Sequence, residues 1–178
     1  MTKTDSQIEV VVARCRDIFK KKMEDYGTSW SIMRPESLTD QIFIKARRVR
    51  TLETIGQDKA AIAEGREPEF IGIINYAAMA LIQLKRDEYE ILPCEEALEL
   101  YDAAVESATS LLRNKNHDYD EAWREMRISS FTDIILQKIH RTKEIEDNGG
   151  KTLVSEGIDA NYQDIINYAI FALIKLSE

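Results

Sequence analysis

The chain has 178 residues, 44% of them hydrophobic and 31% charged, with only seven Gly and three Pro. That composition suits a soluble globular domain rich in helix and excludes disordered or collagen-like chains. The net charge of -8 argues against binding to duplex nucleic acid, which rests on clustered Lys and Arg. The two cysteines suggest neither a disulfide framework nor a zinc site. The first residues carry scattered charges and no apolar run, so a secretory leader is not expected. The longest mostly apolar stretch, Phe70 to Leu84, contains Asn75 and Gln83 and is too short for a membrane span. A cytoplasmic location, with no membrane partner, is the expectation.

In chain order, the first helix is marked by Ile8, Val11, Val12, Cys15 and Phe19 at helical spacing. A short segment around Trp30 leads to a second helix, with Ser37 expected as its N-cap and Asp40 in its first turn. The third helix, Phe70 to Leu84, is apolar nearly all round, the pattern of a central buried helix. Pro93 marks a joint, after which the series repeats. Ala97, Leu100, Tyr101, Ala104, Ala108 and Leu111 mark a first helix, Trp123 the connecting segment, Ser130 an N-cap, and Tyr162 to Leu176 a third helix.

This is an internal duplication. Residues 8–56 displaced by 93 give 15 identities in 49 pairs, and residues 64–84 displaced by 92 give 11 in 21. The expected fold is therefore all-α: a helical bundle of two tandem copies, 1–90 and 91–178, of a three-to-four-helix repeat with pseudo-two-fold symmetry. Charge is divided unevenly. The first copy has 15 basic and 15 acidic residues, the second 9 and 17.

The informative residues are polar ones on apolar stripes. At about 100° per residue, Leu38, Ile42, Val49 and Leu52 surround Lys45, with Arg48 at the stripe's edge. Lys138 and Arg141 repeat the pattern among Phe131, Ile135 and Ile145. A lysine held there needs an anion, because burial of an unpaired charge is costly. Two partners are open: an acid of a neighbouring helix, or the phosphate or carboxylate of a ligand.

On the third helix Asp164 and Asn167 share a face, with Glu156 and Asp159 before them; the first copy reads Glu64, Gly72 and Asn75. Clustered oxygens suit Mg²⁺ (or Mn²⁺), which takes one or two carboxylates together with substrate phosphates. Tyr119 and Trp123, like Tyr26 and Trp30, would either stack on a base or close the end of the bundle. No Glu-x-x-His pair, Gly-rich phosphate loop or Cys-x-x-Cys pair is present.

The run Lys115-Asn116-His117-Asp118-Tyr119, the pair Lys138-x-x-Arg141, and Glu156 followed by Asp164-Ile165-Ile166-Asn167-Tyr168 resemble the nucleotide modification associated domain, type 1, of bacteria and phages. Asp25-Tyr26-Gly27, Lys45, Arg48, Glu64 and Asn75-Tyr76 carry the same resemblance in the first copy. That copy has Gly72 in place of the motif's Asp, and Pro68 and Ala160 stand where a further Asp is expected. A weaker similarity is to the MazG-type and dimeric dUTPase-type all-α pyrophosphohydrolases, whose Glu-x-x-Asp position reads Glu69-x-x-Gly72 and Asn161-x-x-Asp164.

Together these set the expectation of a small-molecule nucleotide binder. Glu156, Asp159 and Asp164 would hold the metal. Lys138 and Arg141 would contact phosphates, with Lys45 and Arg48 completing the site from the other copy, and hydrolysis of a nucleoside triphosphate or modified nucleotide would be the reaction class. The second copy is expected to hold the more complete site. The alternative is a non-catalytic interaction or oligomerisation module with internal salt bridges. Either a monomeric pseudo-dimer or a homodimer is expected.

Overall fold

The computed structural model describes residues 1–56 and 65–178, and Glu64 lies outside them. Six α-helices are formed by the described residues: α1 Lys3–Tyr26, α2 Pro35–Ile55, α3 Arg66–Leu84, α4 Cys94–Tyr119, α5 Ile128–Asp147 and α6 Ile158–Leu176. Single 3₁₀ turns, Ser29–Ile32 and Ala122–Glu125, carry the two tryptophans between the first and second helix of each copy. The described residues contain no strand, and none of their helices is long and apolar enough to cross a membrane. The all-α expectation holds.

Placement follows hydropathy. The two helices that are apolar all round, α3 and α6, pack against each other, and each also touches its own copy's second helix and both first helices or their counterparts. Ile73, Ile74 and Ala77 of α3, and Ile165, Ile166 and Ala169 of α6, have almost no exposed surface. The amphipathic helices surround this pair, each turning one stripe inward: Ile8, Cys15 and Phe19 on α1, Leu38, Ile42 and Val49 on α2.

Polar contacts that the second helices make with each other come in reciprocal pairs. Arg50 meets Asp133 at 2.7 Å while Lys143 meets Asp40 at 2.8 Å. Thr132 donates to Glu53 at 3.1 Å and Thr39 to Glu146 at 3.0 Å. In a two-fold arrangement residue i meets j wherever j meets i, and these pairs fit a pseudo-two-fold relation between the copies. The joint is anchored as well: Thr28 Oγ1 donates to the Leu92 carbonyl and the Leu92 amide donates to Ser31 Oγ.

The expected N-caps are corrected. The second helices begin two to three residues earlier than Ser37 and Ser130, at Pro35 and Ile128, with Arg34 and Arg127 in the cap position and no side-chain cap bond. Pro35 explains the first case, since its fixed φ and missing N–H suit the first helical position. At α6 the cap is Gly157, which leaves Glu156 on the approach to the helix.

One reciprocal pair is electrostatically unequal. Glu53 has Arg66 at 3.2 Å, whereas Ile158 stands at the matching place beside Glu146. Burial, with Glu36 and Asp40 nearby, holds the Glu146 carboxyl above its ordinary range, against the opposing effects of Thr39 and Lys143. A carboxyl with a raised folded-state pKa costs stability once ionised and recovers it as pH falls. Glu146→Gln is therefore expected to raise the melting temperature at neutral pH, with the gain fading as pH falls through the raised folded-state value and gone by about pH 4. Melting curves from pH 4 to 8 check this; a gain that grows towards acid pH would contradict it.

Candidate functional site

The stripe lysines both find carboxylates on the third helix of their own copy, but at different registers. Lys45 Nζ lies 3.4 Å from Glu69 Oε2, and Arg48 Nη1 lies 3.0 Å from Glu69 Oε1. In the second copy Lys138 Nζ lies 3.0 Å from Asp164 Oδ2, and Lys115 Nζ reaches Asp164 Oδ1 at 3.4 Å. Glu69 corresponds to Asn161 and Asp164 to Gly72. Each copy thus keeps one of two acids one helical turn apart and has lost the other.

At Gly72 the reason for the small residue is direct. The Lys45 side chain crosses the helix there, and a Cβ would fall 2.5 Å from both Lys45 Cδ and Cε. Asp164 occupies the equivalent place in the second copy, and Lys138 meets its carboxylate end-on. The two carboxylates are mostly buried, at 13% and 14% side-chain exposure for Glu69 and Asp164.

Behind these clusters the Asn shared by both copies reaches across to the first helix. Asn75 Nδ2 donates to the Cys15 carbonyl at 3.1 Å, and Asn167 Nδ2 to the Ala108 carbonyl at 3.0 Å. Their carbonyl oxygens differ. Tyr101 donates to Asn75 Oδ1 at 2.6 Å, and its burial raises the hydroxyl pKa so that it stays protonated. Ile8 occupies the position that matches Tyr101, and Asn167 Oδ1 is buried with no partner among the described residues.

Both asparagines are thus framework groups in this structure, tying third helix to first. Cys15, packed on the same spot, is also shielded, and burial pushes its thiol up to about 12.

A cavity of about 590 Å³ opens beside the first cluster. Phe19, Met23, Trp30, Met33 and Met79 supply its apolar wall, and Tyr26 and Tyr76 line it further along. Arg14, Lys22 and Lys45 are its cations and Glu69 its carboxylate. Lys45 Nζ also sits 5.9 Å from the centre of the Tyr76 ring. Arg14 is held at 2.9 Å by Glu67, whereas Lys22 is exposed and makes no ion pair among the described residues.

The second copy is filled at the matching places. Phe171, which replaces Met79, stacks on Trp123 at 4.3 Å with rings 9° from parallel. The Arg124 guanidinium lies 4.4 Å from the Trp123 ring, and the indole N–H donates to Asn116 at 3.0 Å. Lys115, the counterpart of Lys22, is drawn onto Asp164. In the first copy Met23 replaces Asn116, and the buried Trp30 Nε1 has no acceptor.

The expected site residues therefore distribute as follows. Lys45, Arg48 and Asn75 lie on one side of the bundle, with Lys45 and Asn75 lining the cavity. Lys138 and Asn167 belong to the second cluster, while Arg141 is exposed and makes no ion pair among the described residues. Tyr119 is 72% exposed, and Trp123 has its faces taken by Phe171 and Arg124.

Glu156, Asp159 and Asp164 do not come together: the first two are exposed and the third is held by two ammonium groups. Among the described residues no three His, Cys, Asp or Glu side chains gather into a metal-binding group. A carboxylate already shared by two cations does not suit a resident divalent ion.

Glu69 and Lys22 are the residues that periodicity passed over. The signal for Glu69 is the set of positions where the aligned copies differ, Glu69 against Asn161 and Gly72 against Asp164, whereas the signal for Lys22 is its identity with Lys115.

Two copies of one three-helix unit, each with a cation–carboxylate cluster on its buried third helix, define an all-α tandem-repeat protein. The model of the family "Nucleotide modification associated domain 1" matches residues 22–84 and again residues 115–176. The chain belongs to that family, with two copies of its domain in tandem. No curated protein and no solved structure is significantly similar to it.

Proposed function

We propose that the protein binds a nucleotide in the cavity of its first copy. The observation that carries this reading is one cavity lined both by aromatic and methionine side chains and by Arg14, Lys22 and Lys45. Its volume of 590 Å³ lies within the range of small-molecule sites, roughly 300–1,000 Å³. Tyr26 and Tyr76 offer flat apolar surface for a base, the buried Trp30 closes part of the lining, and the cations offer partners for phosphate. The family's association with nucleotide modification supports the same class of ligand. The reading moves the site from the second copy, where the acids are more numerous, to the first, where there is room.

The interaction-module reading draws on a different observation: both stripe lysines already have carboxylate partners within their own copy. A screen of ribo- and deoxynucleotides by thermal shift separates the two. A ligand at about 100 times its dissociation constant adds roughly 2.7 kcal/mol, or on the order of 5–10 °C for a chain of this size. We expect such a shift for at least one nucleotide and its loss in Trp30→Ala. No shift with any nucleotide from a folded protein would leave the interaction module as the better reading.

A further inference from the structure

We infer that the chain takes one nucleoside monophosphate, in its first copy only, and that the second copy is closed by its own side chains. The inference rests on the binding reading above and adds its stoichiometry and the charge class of the ligand.

The charge class follows from the lining. Three cations, Arg14, Lys22 and Lys45, face one carboxylate, Glu69. Arg14 is already half-satisfied by Glu67. The surplus of about one to two positive charges lies nearest a phosphate monoester, which carries about -1.5 to -2 at pH 7. A triphosphate would bring more charge than these side chains offset, and the described carboxylates form no cluster to recruit a divalent ion for the excess.

The stoichiometry follows from the replacements. Phe171 lies flat on Trp123 where the first copy has Met79 in the cavity lining, so a stacked ring fills that place in the second copy. Lys115 is bonded to Asp164, whereas Lys22 has no ion pair among the described residues. Asn116 fixes the Trp123 indole, whereas Met23 leaves the Trp30 N–H without an acceptor. The same three places thus read as occupied in one copy and open in the other.

The test is isothermal titration of the full chain, in EDTA, with nucleoside 5′-mono-, di- and triphosphates of the base that gives the largest thermal shift. The expected result is one equivalent bound, with the monophosphate at least as tight as the triphosphate. Lys22→Ala, on an exposed face of α1, should weaken the monophosphate about tenfold or more, as loss of a charge-assisted hydrogen bond does. Lys115→Ala should leave its affinity within about twofold.

Met79→Phe, which places the second copy's plug in the first, should abolish binding while a melting curve shows a folded chain. Two equivalents, a clear preference for the triphosphate, or equal losses in Lys22→Ala and Lys115→Ala would each overturn the inference and leave the binding reading standing. Failure of every nucleotide at every phosphate length would overturn both.

Discussion

Replacing Asn75 by Ala should cost about 3 kcal/mol, and the same change at Asn167 about 1 kcal/mol. The two side chains have equal volume and sit at matching places on α3 and α6, so the cavity cost is similar and the difference isolates the hydrogen bonds. Asn75 both donates to Cys15 and accepts from the wholly buried Tyr101 hydroxyl. Its removal leaves that hydroxyl with no acceptor in an apolar surround. Asn167 makes the donor bond alone, and its oxygen is already unpartnered. At 2–4 °C per kcal/mol for a chain of this size, the variants should melt roughly 4–8 °C apart. Equal melting temperatures would show that the Tyr101 bond contributes nothing net.

The second large effect is expected at Glu69. Glu69→Gln removes the carboxylate shared by Lys45 and Arg48 and puts a neutral amide in its place, which takes from Lys45 the acid its ammonium meets on α3. Stability should fall by about 1–2 kcal/mol, less than for a fully buried pair because all three groups keep some contact with water. Binding should change in the opposite direction. The same substitution removes the one negative charge from the cavity lining, so a nucleoside monophosphate should bind about tenfold more tightly and restore the lost melting temperature. Titration and melting curves on the same preparations read both changes, and the gain should shrink at high salt. A fall in affinity would remove the phosphate from this cluster.

Much of the architecture was legible because the repeat is strong and the third helices are unlike the rest. Ile73-Ile74-Asn75-Tyr76-Ala77 and its twin could hardly be anything but a buried helix with one polar residue facing a neighbour. Lys45 and Lys138 were equally visible, since a lysine at the centre of an apolar stripe must meet an anion.

The choice of anion was not legible. Glu69 and Asp164 lie one turn apart on equivalent helices, and only packing shows that the Lys45 chain passes over Gly72 to the first while Lys138 stops at the second. The helix starts were missed for a simpler reason: serine is a common cap, but Pro35 fixes the backbone earlier, and Ile128 follows the same register. The open cavity was invisible to periodicity because it depends on what is absent, a methionine where the other copy has a stacked phenylalanine.

The joining of the two copies through Leu92 and Pro93 has a consequence for how such a molecule changes over time. In an assembly of two separate identical chains, every substitution is made twice, so a glycine in place of an aspartate would strike both members at once. Within one continuous chain each copy accepts substitutions alone. The replacements at positions 72 and 161 are then not shared by both members: the first keeps Glu69 and the second Asp164, and the cavity is lined by the first copy's residues alone.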